Sequence, residues 1–177
     1  GQGIFEGCKA YKDKNGKITM FRPRDNFIRM NKSAKRLCMA ELPVDTVVDA
    51  LFKLIELEKE RVPTAPGTSL YVRPTMVGTE GFLGVHPSKE YKFFIILSPV
   101  GSYYANGLQP TKIYVEDKYN RAAIGGTGEA KCLGNYAASL LAAEEAKLKG
   151  YEQVLWMDAA ERKYVEEVGA MNMFFVI

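Results

Sequence analysis

Strand-like and helix-like patterns of apolar and polar residues follow one another along the first hundred positions. Residues 4–22 predict a β-hairpin, in which IFEGCKAYK and ITMFR flank the turn DKNGK. Within that turn, Asn15 and Gly16 favour a type I′ geometry, because both central residues of such a turn need positive φ. The apolar segments SLYVRPTMVG and KFFIILSPVG predict two further strands, joined by a loop that holds His86 and Pro87.

Three segments have the spacing of helices. Residues 25–39 repeat apolar side chains every three or four positions. Pro43 ends one segment, and Asp45 is the candidate N-cap of the next helix, VVDALFKLIELEKE. The alanine-rich segment NYAASLLAAEEAKLK predicts a third helix that ends at Gly150, the residue type favoured after a helix C-terminus.

The second half of the chain adds strands around that third helix. Strand character is predicted for KIYVEDKY, YEQVLWMD, KYVEEVG and NMFFVI. Because hairpins and paired helices precede a strand–loop–helix–strand order, we expect an α+β fold without internal repeats. The residues predict a small first domain over 1–103, a linker over 104–112 that is rich in Gly, Pro and Asn, and a second domain over 113–177.

Composition and charge narrow the classes of function. The chain has 177 residues, is 47% hydrophobic, and carries a net charge of +3 with basic residues scattered rather than clustered, so neither a nucleic acid nor a membrane is the expected partner. Three cysteines without C-x-x-C spacing predict free thiols, and a single histidine excludes a multi-histidine metal site. The start without methionine and the abrupt apolar end suggest a fragment of a longer protein.

The stretch GGTGEAKCLGNY, residues 125–136, raises the question of what Lys131 does. It matches neither the spacing of a Walker phosphate loop nor that of a dinucleotide-binding loop. Two interpretations remain on the residues alone: a solvated loop lysine, or a lysine that forms a Schiff base with pyridoxal phosphate (PLP). The second also needs an acid, a hydroxyl and cationic groups, and the chain offers these candidates: Tyr136, Glu166 or Glu167, and Arg29 or Arg121.

Longer strings favour the second interpretation. In order along the chain they are GQGIFEGCKAYK, FRPRDNFIRMNKSAKRLC, GTSLYVRP, GGTGEAKCLGNYAASLLAAEEAKLKGYEQVLWMD and EVGAMNMFFV. Together they resemble the branched-chain amino-acid aminotransferases, which are PLP enzymes of fold type IV. The resemblance implies a small α/β domain that lacks its N-terminal part, followed by part of a larger pseudo-barrel domain, with the chain truncated at both ends.

The resemblance assigns five residues to the cofactor. Lys131 matches the lysine that bonds PLP covalently, and Tyr136 matches the tyrosine near the cofactor O3′. Glu167, which precedes Val-Gly, matches the carboxylate that pairs with the pyridine nitrogen, and Glu166 is its competitor. The remaining two are arginines: Arg29 matches the one that binds the phosphate, and Arg121 a further one near the cofactor.

The resemblance also assigns residues to the substrate. Phe5 and Tyr103 match aromatic walls of the side-chain pocket, and Ala170 stands where family members often have a threonine. Tyr71 and Arg73 alternate on one predicted strand, so they project from the same face. The family places this tyrosine, together with Leu83, in the active site of the neighbouring subunit, which implies a homodimer.

The function implied by the resemblance is transfer of the amino group of leucine, isoleucine or valine to 2-oxoglutarate. The substrates are then an amino acid and a 2-oxo acid, and the compartment is the cytoplasm, or the mitochondrion in a eukaryote. Two alternatives stay open at this point. One is another fold type IV enzyme, such as a D-amino-acid aminotransferase or aminodeoxychorismate lyase; the other is a non-catalytic, truncated module that dimerises.

Overall fold

The computed structural model describes residues 1–101, 109–169 and 171–177. The chain divides into two compact units, Gly1–Gly107 with Ala130–Leu133 and Leu108–Glu129 with Gly134–Ile177. The α+β class predicted from the sequence is confirmed, because each unit combines a sheet with helix. The domain limits drawn from the sequence stay a prediction. No helix in the described ranges is long and apolar enough to cross a membrane.

The sheet of the first unit is organised around one long central strand. Its strands are β1 (Gly3–Phe5), β2 (Cys8–Lys12), β3 (Ile18–Met20), β4 (Ser69–Gly78) and β5 (Tyr91–Val100). β4 pairs antiparallel with β5 along one edge and with β2 and β1 along the other, while β3 pairs with β2. Alternation along β4 buries the even-numbered residues 70–76 and leaves the odd-numbered residues 71–75 half-buried on the opposite face.

Two helices cover the buried face of this sheet. They are α1 (Pro23–Arg36) and α2 (Val44–Leu57), followed by a short 3₁₀ turn at Lys59–Arg61. Helical spacing puts Phe27, Met30 and Ala34 of α1 in the core, where the ring of Phe27 lies edge-on to that of Phe93 at 6.5 Å. Burial of a large apolar side chain stabilises the unit by roughly 1.5–3 kcal/mol.

Two local predictions from the sequence are wrong. Asp45 is not the N-cap of α2: Pro43 occupies that position, and Asp45 instead accepts a hydrogen bond from Arg24 Nε at 3.0 Å. The β2–β3 turn is not type I′ either, since Gly16 has φ of 82° but Asn15 does not have a positive φ. The carboxylate of Asp13 accounts for this, because it accepts the backbone N–H groups of Asn15 and Lys17 at 2.8 and 2.9 Å.

The second unit builds a small sheet against one helix. Its elements are β6 (Ile113–Val115), α3 (Leu133–Leu148), β7 (Gln153–Met157) and β8 (Val165–Val168), with β6 and β7 parallel and β7 and β8 antiparallel. Gly150 ends the helix with φ of 82°, as predicted. The core is formed by Ala142, Ala146, Val154 and Trp156. The strand predicted for NMFFVI does not form: residues 172–177 have no regular structure, and their last four side chains are exposed.

Asp158 holds the connection between β7 and β8 together. Its carboxylate accepts the backbone N–H groups of Tyr164, Glu161 and Lys163 at 2.7–2.8 Å, and these bonds lower its pKa from 3.8 to about 2. A depressed carboxyl pKa stabilises the folded loop above the unfolded pKa, and this stabilisation is lost as the pH falls from 3.8 through 2.

We therefore expect Asp158→Asn to loosen this loop at neutral pH, because the amide has one acceptor oxygen where the carboxylate has two. Lys163 and Tyr164 share Oδ1, which one amide oxygen can replace, so amide hydrogen exchange should speed up at Glu161, whose N–H binds Oδ2. Asp49→Asn, at an exposed position of α2, is the control and should leave the exchange of the Glu161 amide unchanged. Equal exchange in the Asp158 variant and the unaltered protein would contradict the assignment.

Candidate active site

The main chain of Lys131 is held in the first unit by a strand and a helix. Its carbonyl oxygen accepts the N–H of Phe5 at 3.1 Å, and its own N–H donates to Ser33 Oγ at 2.9 Å. The neighbouring residue Cys132 forms an antiparallel bridge with Ile4 of β1. Buried backbone groups need such partners, so the segment around the lysine is fixed to β1 and α1 rather than lying on the surface as a solvated loop.

The side chain of Lys131 lies against an aromatic wall. Its Nζ is 4.6 Å from the centre of the Phe5 ring, and the guanidinium of Arg73 lies 4.5 Å from the same ring centre. Phe5 is opposite Thr75 in the β1–β4 register, so it shares the face of β4 from which Arg73 projects. The structure thus brings the predicted lysine together with two of the predicted substrate residues, Phe5 and Arg73.

The side chain of Arg73 is oriented by a hydrogen bond, but one of its N–H groups has no hydrogen-bond partner in the described part of the chain. Its Nη2 donates to the hydroxyl of Tyr71 at 2.7 Å, and its guanidinium carbon is 5.0 Å from that ring centre. Its Nε is buried and has no hydrogen-bond partner among the described residues. A buried guanidinium N–H without a partner costs free energy, and a carboxylate is the group that suits it best. This geometry therefore points to a binding place for an anionic group beside Phe5.

Arg29, predicted to bind phosphate, is paired with a buried acid. Glu6 is fully buried, and its carboxylate accepts Arg29 Nε at 2.6 Å and Nη2 at 2.7 Å. The same carboxylate accepts the side-chain amide of Asn26 at 2.9 Å and the backbone N–H of Gly7 at 3.2 Å. The arginine side chain itself is 56% exposed, so one end of this ion pair faces solvent.

In the second unit, two predicted cofactor residues form an ion pair with each other. Arg121 Nη1 lies 2.9 Å from Glu167 Oε2, with the arginine largely buried. In the β7–β8 pairing, Glu167 lies opposite Trp156. The register then shifts, and the next pair joins Met157 to Val165. Glu166 is therefore the extra residue of a β-bulge, and its side chain is exposed. Of the two candidate carboxylates, Glu167 is thus the one that lies in the regular ladder and is paired with an arginine.

The glycine-rich stretch is tied to the start of α3 by a buried amide. Asn135 donates to the carbonyl oxygen of Thr127 and accepts its hydroxyl proton, both at 2.7 Å. Gly125 has φ of 78°, a conformation that favours glycine, at the beginning of this stretch. Tyr136 follows Asn135 in the first turn of α3 and is half-buried. The hydrogen bonds of Asn135 therefore fix the loop at Thr127 to the turn of α3 in which Tyr136 lies.

Three predicted substrate residues remain: Leu83, Tyr103 and Ala170. Leu83 lies in the β4–β5 connection and is 97% exposed, so none of the described residues packs over it. Tyr103 and Ala170 lie outside the described residues.

Sequence reasoning missed three buried polar residues that support the site: Glu6, Ser33 and Asn135. The first two have a weak signal in the sequence. Glu6 is a lone acid directly after the apolar pair Ile4-Phe5, and Ser33 interrupts the apolar stripe of α1 beside Ala34. A polar residue at a position that periodicity assigns to the core indicates a buried hydrogen bond.

Comparison with known proteins decides the family. A model of the amino-transferase class IV family matches residues 3–177. The chain belongs to this family. The prediction drawn from the sequence motifs is thereby confirmed, and the fold type IV assignment with it.

Similar proteins in this family are named as branched-chain-amino-acid transaminases or aminotransferases. The chain is 56% identical to branched-chain-amino-acid transaminase 1 of Bacillus subtilis (strain 168), covering 100% of this chain and 50% of the relative. It is 55% identical to a probable branched-chain-amino-acid aminotransferase of Staphylococcus aureus (strain MRSA252), covering 99% and 49%. The chain thus spans about half the length of the curated relatives it matches.

A solved class IV structure has the same fold. The T.th. branched-chain amino acid aminotransferase with pyridoxamine 5′-phosphate matches with a TM-score of 0.77 and 26% identity. The match covers 94% of this chain and 53% of that one. The described elements therefore correspond to half of a known class IV fold.

Cys8, beside the Glu6–Arg29 pair, should react slowly as a nucleophile. Burial, and secondly the charge of Glu6, raise the pKa of its thiol to about 11. Only on the order of one thiol in a thousand is then ionised at pH 8, and the thiolate is the reactive form. We expect iodoacetamide at pH 8 to label exposed Cys38 and leave Cys8 unmodified, with Cys8 labelling rising about tenfold per pH unit towards pH 11.

Peptide mass spectrometry measures both cysteines in the same sample. A Cys8→Ser variant is the control and should show the same labelling as the unaltered protein at pH 8. Labelling of Cys8 as fast as Cys38 at that pH would contradict the raised pKa.

Proposed function

We propose that this chain is part of a PLP-dependent transaminase that moves the amino group of leucine, isoleucine or valine to 2-oxoglutarate. Membership of the class IV family and the names of the relatives support this assignment. The observation that carries it is the arrangement of Lys131, Phe5 and Arg73, in which an amine and a partly unsatisfied guanidinium lie against one aromatic ring.

The residues present fit the cofactor. PLP supplies a ring that draws electrons away from the substrate Cα when a proton leaves it. Lys131 has the amine that bonds the cofactor covalently, and its fixed main chain limits where that amine can reach. Arg29 is the cation proposed for the phosphate, and Glu167 the carboxylate proposed for the pyridine nitrogen, with Arg121 holding Glu167 in place. Tyr136 is the hydroxyl proposed for the cofactor O3′.

Lys131 also has a second task in this proposal. With its Nζ free, Lys131 would take the proton from the substrate Cα as a general base and, as a general acid, would deliver it to C4′ of the cofactor instead of back to Cα. Proton transfer by a positioned group contributes about 10²–10⁴-fold to a rate. The contact of Nζ with Phe5 keeps this amine beside the ring that Arg73 also contacts.

The substrate side combines an apolar wall with a cation. Phe5 offers its ring to the aliphatic side chain, and the unpartnered Nε of Arg73, buried among the described residues, suits a substrate carboxylate. Tyr71 holds the guanidinium through its hydroxyl and limits its rotation. Because one methylene in an apolar pocket changes binding by only about 1–3 kcal/mol, we expect all three branched amino acids to be accepted.

The proposal includes a homodimer in the cytoplasm. Leu83, Phe82 and Val85 form an exposed apolar tip on the β4–β5 connection, which suits insertion into a second subunit. The three cysteines are free thiols, as in most cytoplasmic enzymes. Tyr103 and Ala170 keep their proposed roles at the substrate.

The decisive variant is Lys131→Ala in the full-length protein. If the proposal is right, transamination between leucine and 2-oxoglutarate falls at least ~10²–10⁴-fold, because both the covalent bond and the proton transfer are lost. Activity is measured as glutamate formed, with isoleucine, valine and D-alanine as parallel substrates.

The matched control is Lys147→Ala, which removes an exposed lysine from the last turn of α3 and should leave the rate unchanged. A Lys131 variant with full activity would refute the role of the lysine. Faster turnover of D-alanine than of all three branched amino acids would replace the proposed substrate class with that of a D-amino-acid aminotransferase.

A further inference from the structure

Glu6 is an unusual residue for its position. It is a charged side chain with 0% exposure, just after β1 and directly beside Phe5. Burying a carboxylate is costly unless it is paired and hydrogen-bonded. Here four donor groups satisfy it: Nε and Nη2 of Arg29, the amide of Asn26, and the backbone N–H of Gly7. The position of the carboxylate is therefore determined from several sides.

The two ends of the Glu6–Arg29 pair differ in exposure. Glu6 is enclosed, whereas Arg29 has 56% of its side chain exposed. A free arginine side chain samples many rotamers, and two N–H groups bound to one carboxylate hold its planar guanidinium in one orientation. The fixed carboxylate thus sets the orientation of the exposed guanidinium, and not the reverse.

We infer that Glu6 is a positioning residue, which orients the guanidinium of Arg29 for the phosphate of PLP. The inference rests on the proposed function, because it takes this phosphate as the ligand of Arg29. Glu6 does not touch the cofactor itself. It fixes the plane and direction of the group that does, since a phosphate is recognised best by a guanidinium whose N–H groups already point at it.

Glu6 contributes to phosphate binding by orienting the guanidinium of Arg29, and not through its own charge. The charges of Glu6 and Arg29 cancel, so the pair attracts a dianion less at long range than a bare arginine would. If charge decided the outcome, removing the acid would strengthen phosphate binding. If orientation decides it, removing the acid weakens binding. We therefore expect weaker PLP binding when the acid is removed.

The test compares two ligands that differ only in the phosphate. The full-length apoprotein is titrated with PLP and with pyridoxal, and both dissociation constants are read from absorbance and protein fluorescence. For Glu6→Gln, which keeps the shape but loses the charge, we expect the dissociation constant of PLP to rise about 10–100-fold, the size of effect that loss of the hydrogen-bond partner of a metal-ligating residue has on metal affinity. The dissociation constant of pyridoxal should stay within about twofold, because pyridoxal has nothing for Arg29 to bind.

A second variant separates orientation from charge and folding. Glu6→Asp keeps the negative charge near Arg29 but shortens the side chain by one methylene, so both bonds to the guanidinium are displaced. We expect it to weaken PLP binding selectively, as Glu6→Gln does. If Glu6→Gln does not fold, the Asp variant alone decides.

The matched control is Asp45→Asn. Asp45 is also paired with an arginine of α1, Arg24, at 3.0 Å, but that pair is exposed, with the acid 81% accessible. It should leave both dissociation constants unchanged, because an exposed surface pair contributes little.

Three results would overturn the inference. They are unchanged PLP binding in both Glu6 variants, equal loss of PLP and pyridoxal binding, and tighter PLP binding in Glu6→Gln. Failure of the unaltered protein to bind either ligand would refute the proposed function itself, and the role of Glu6 with it, so the two failures are distinguishable.

Discussion

The site depends on the way the main chain of Lys131 is held in the first unit. Its carbonyl oxygen binds the N–H of Phe5, and its N–H reaches the hydroxyl of Ser33, which is 98 positions away in the sequence. Ser33 lies one helical turn after Arg29 on α1, so a single helix anchors both the lysine and the arginine proposed for the phosphate. Two functional groups that are distant in sequence thereby acquire a fixed spacing from one element.

The three arginines that the sequence proposes for cofactor or substrate fall into two physical classes. Arg29 and Arg121 each lie against a carboxylate, at 2.6 and 2.9 Å, and are oriented before any ligand arrives. Arg73 instead stacks on Phe5 and leaves a buried Nε without a partner in the described part of the chain. Paired guanidiniums suit a permanently bound cofactor, while an unsatisfied one suits a substrate that binds and leaves, because the free energy of the missing bond is recovered at each binding event.

Much of the fold follows from local patterns, but the contacts of the site do not. β4 occupies the ten predicted positions 69–78, since alternation over that length specifies both the strand and its buried face. The predictions of a type I′ turn at Asn15 and of an N-cap at Asp45 are wrong, because nearby side chains offer other hydrogen bonds. Motif resemblance proposed Lys131 and Arg29 as site residues. Their partners Glu6 and Ser33 could not be predicted, because periodicity does not show which buried polar groups meet across the fold.

The central claim is that Lys131 bonds PLP covalently. The most direct measurement is to load the full-length protein with PLP, reduce it with borohydride, digest it and map the modified peptide by mass spectrometry. We expect one phosphopyridoxyl group per chain, on Lys131 within the stretch GGTGEAKCLGNY. A protein that takes up no label, or one in which exposed lysines are labelled as heavily as Lys131, would contradict it.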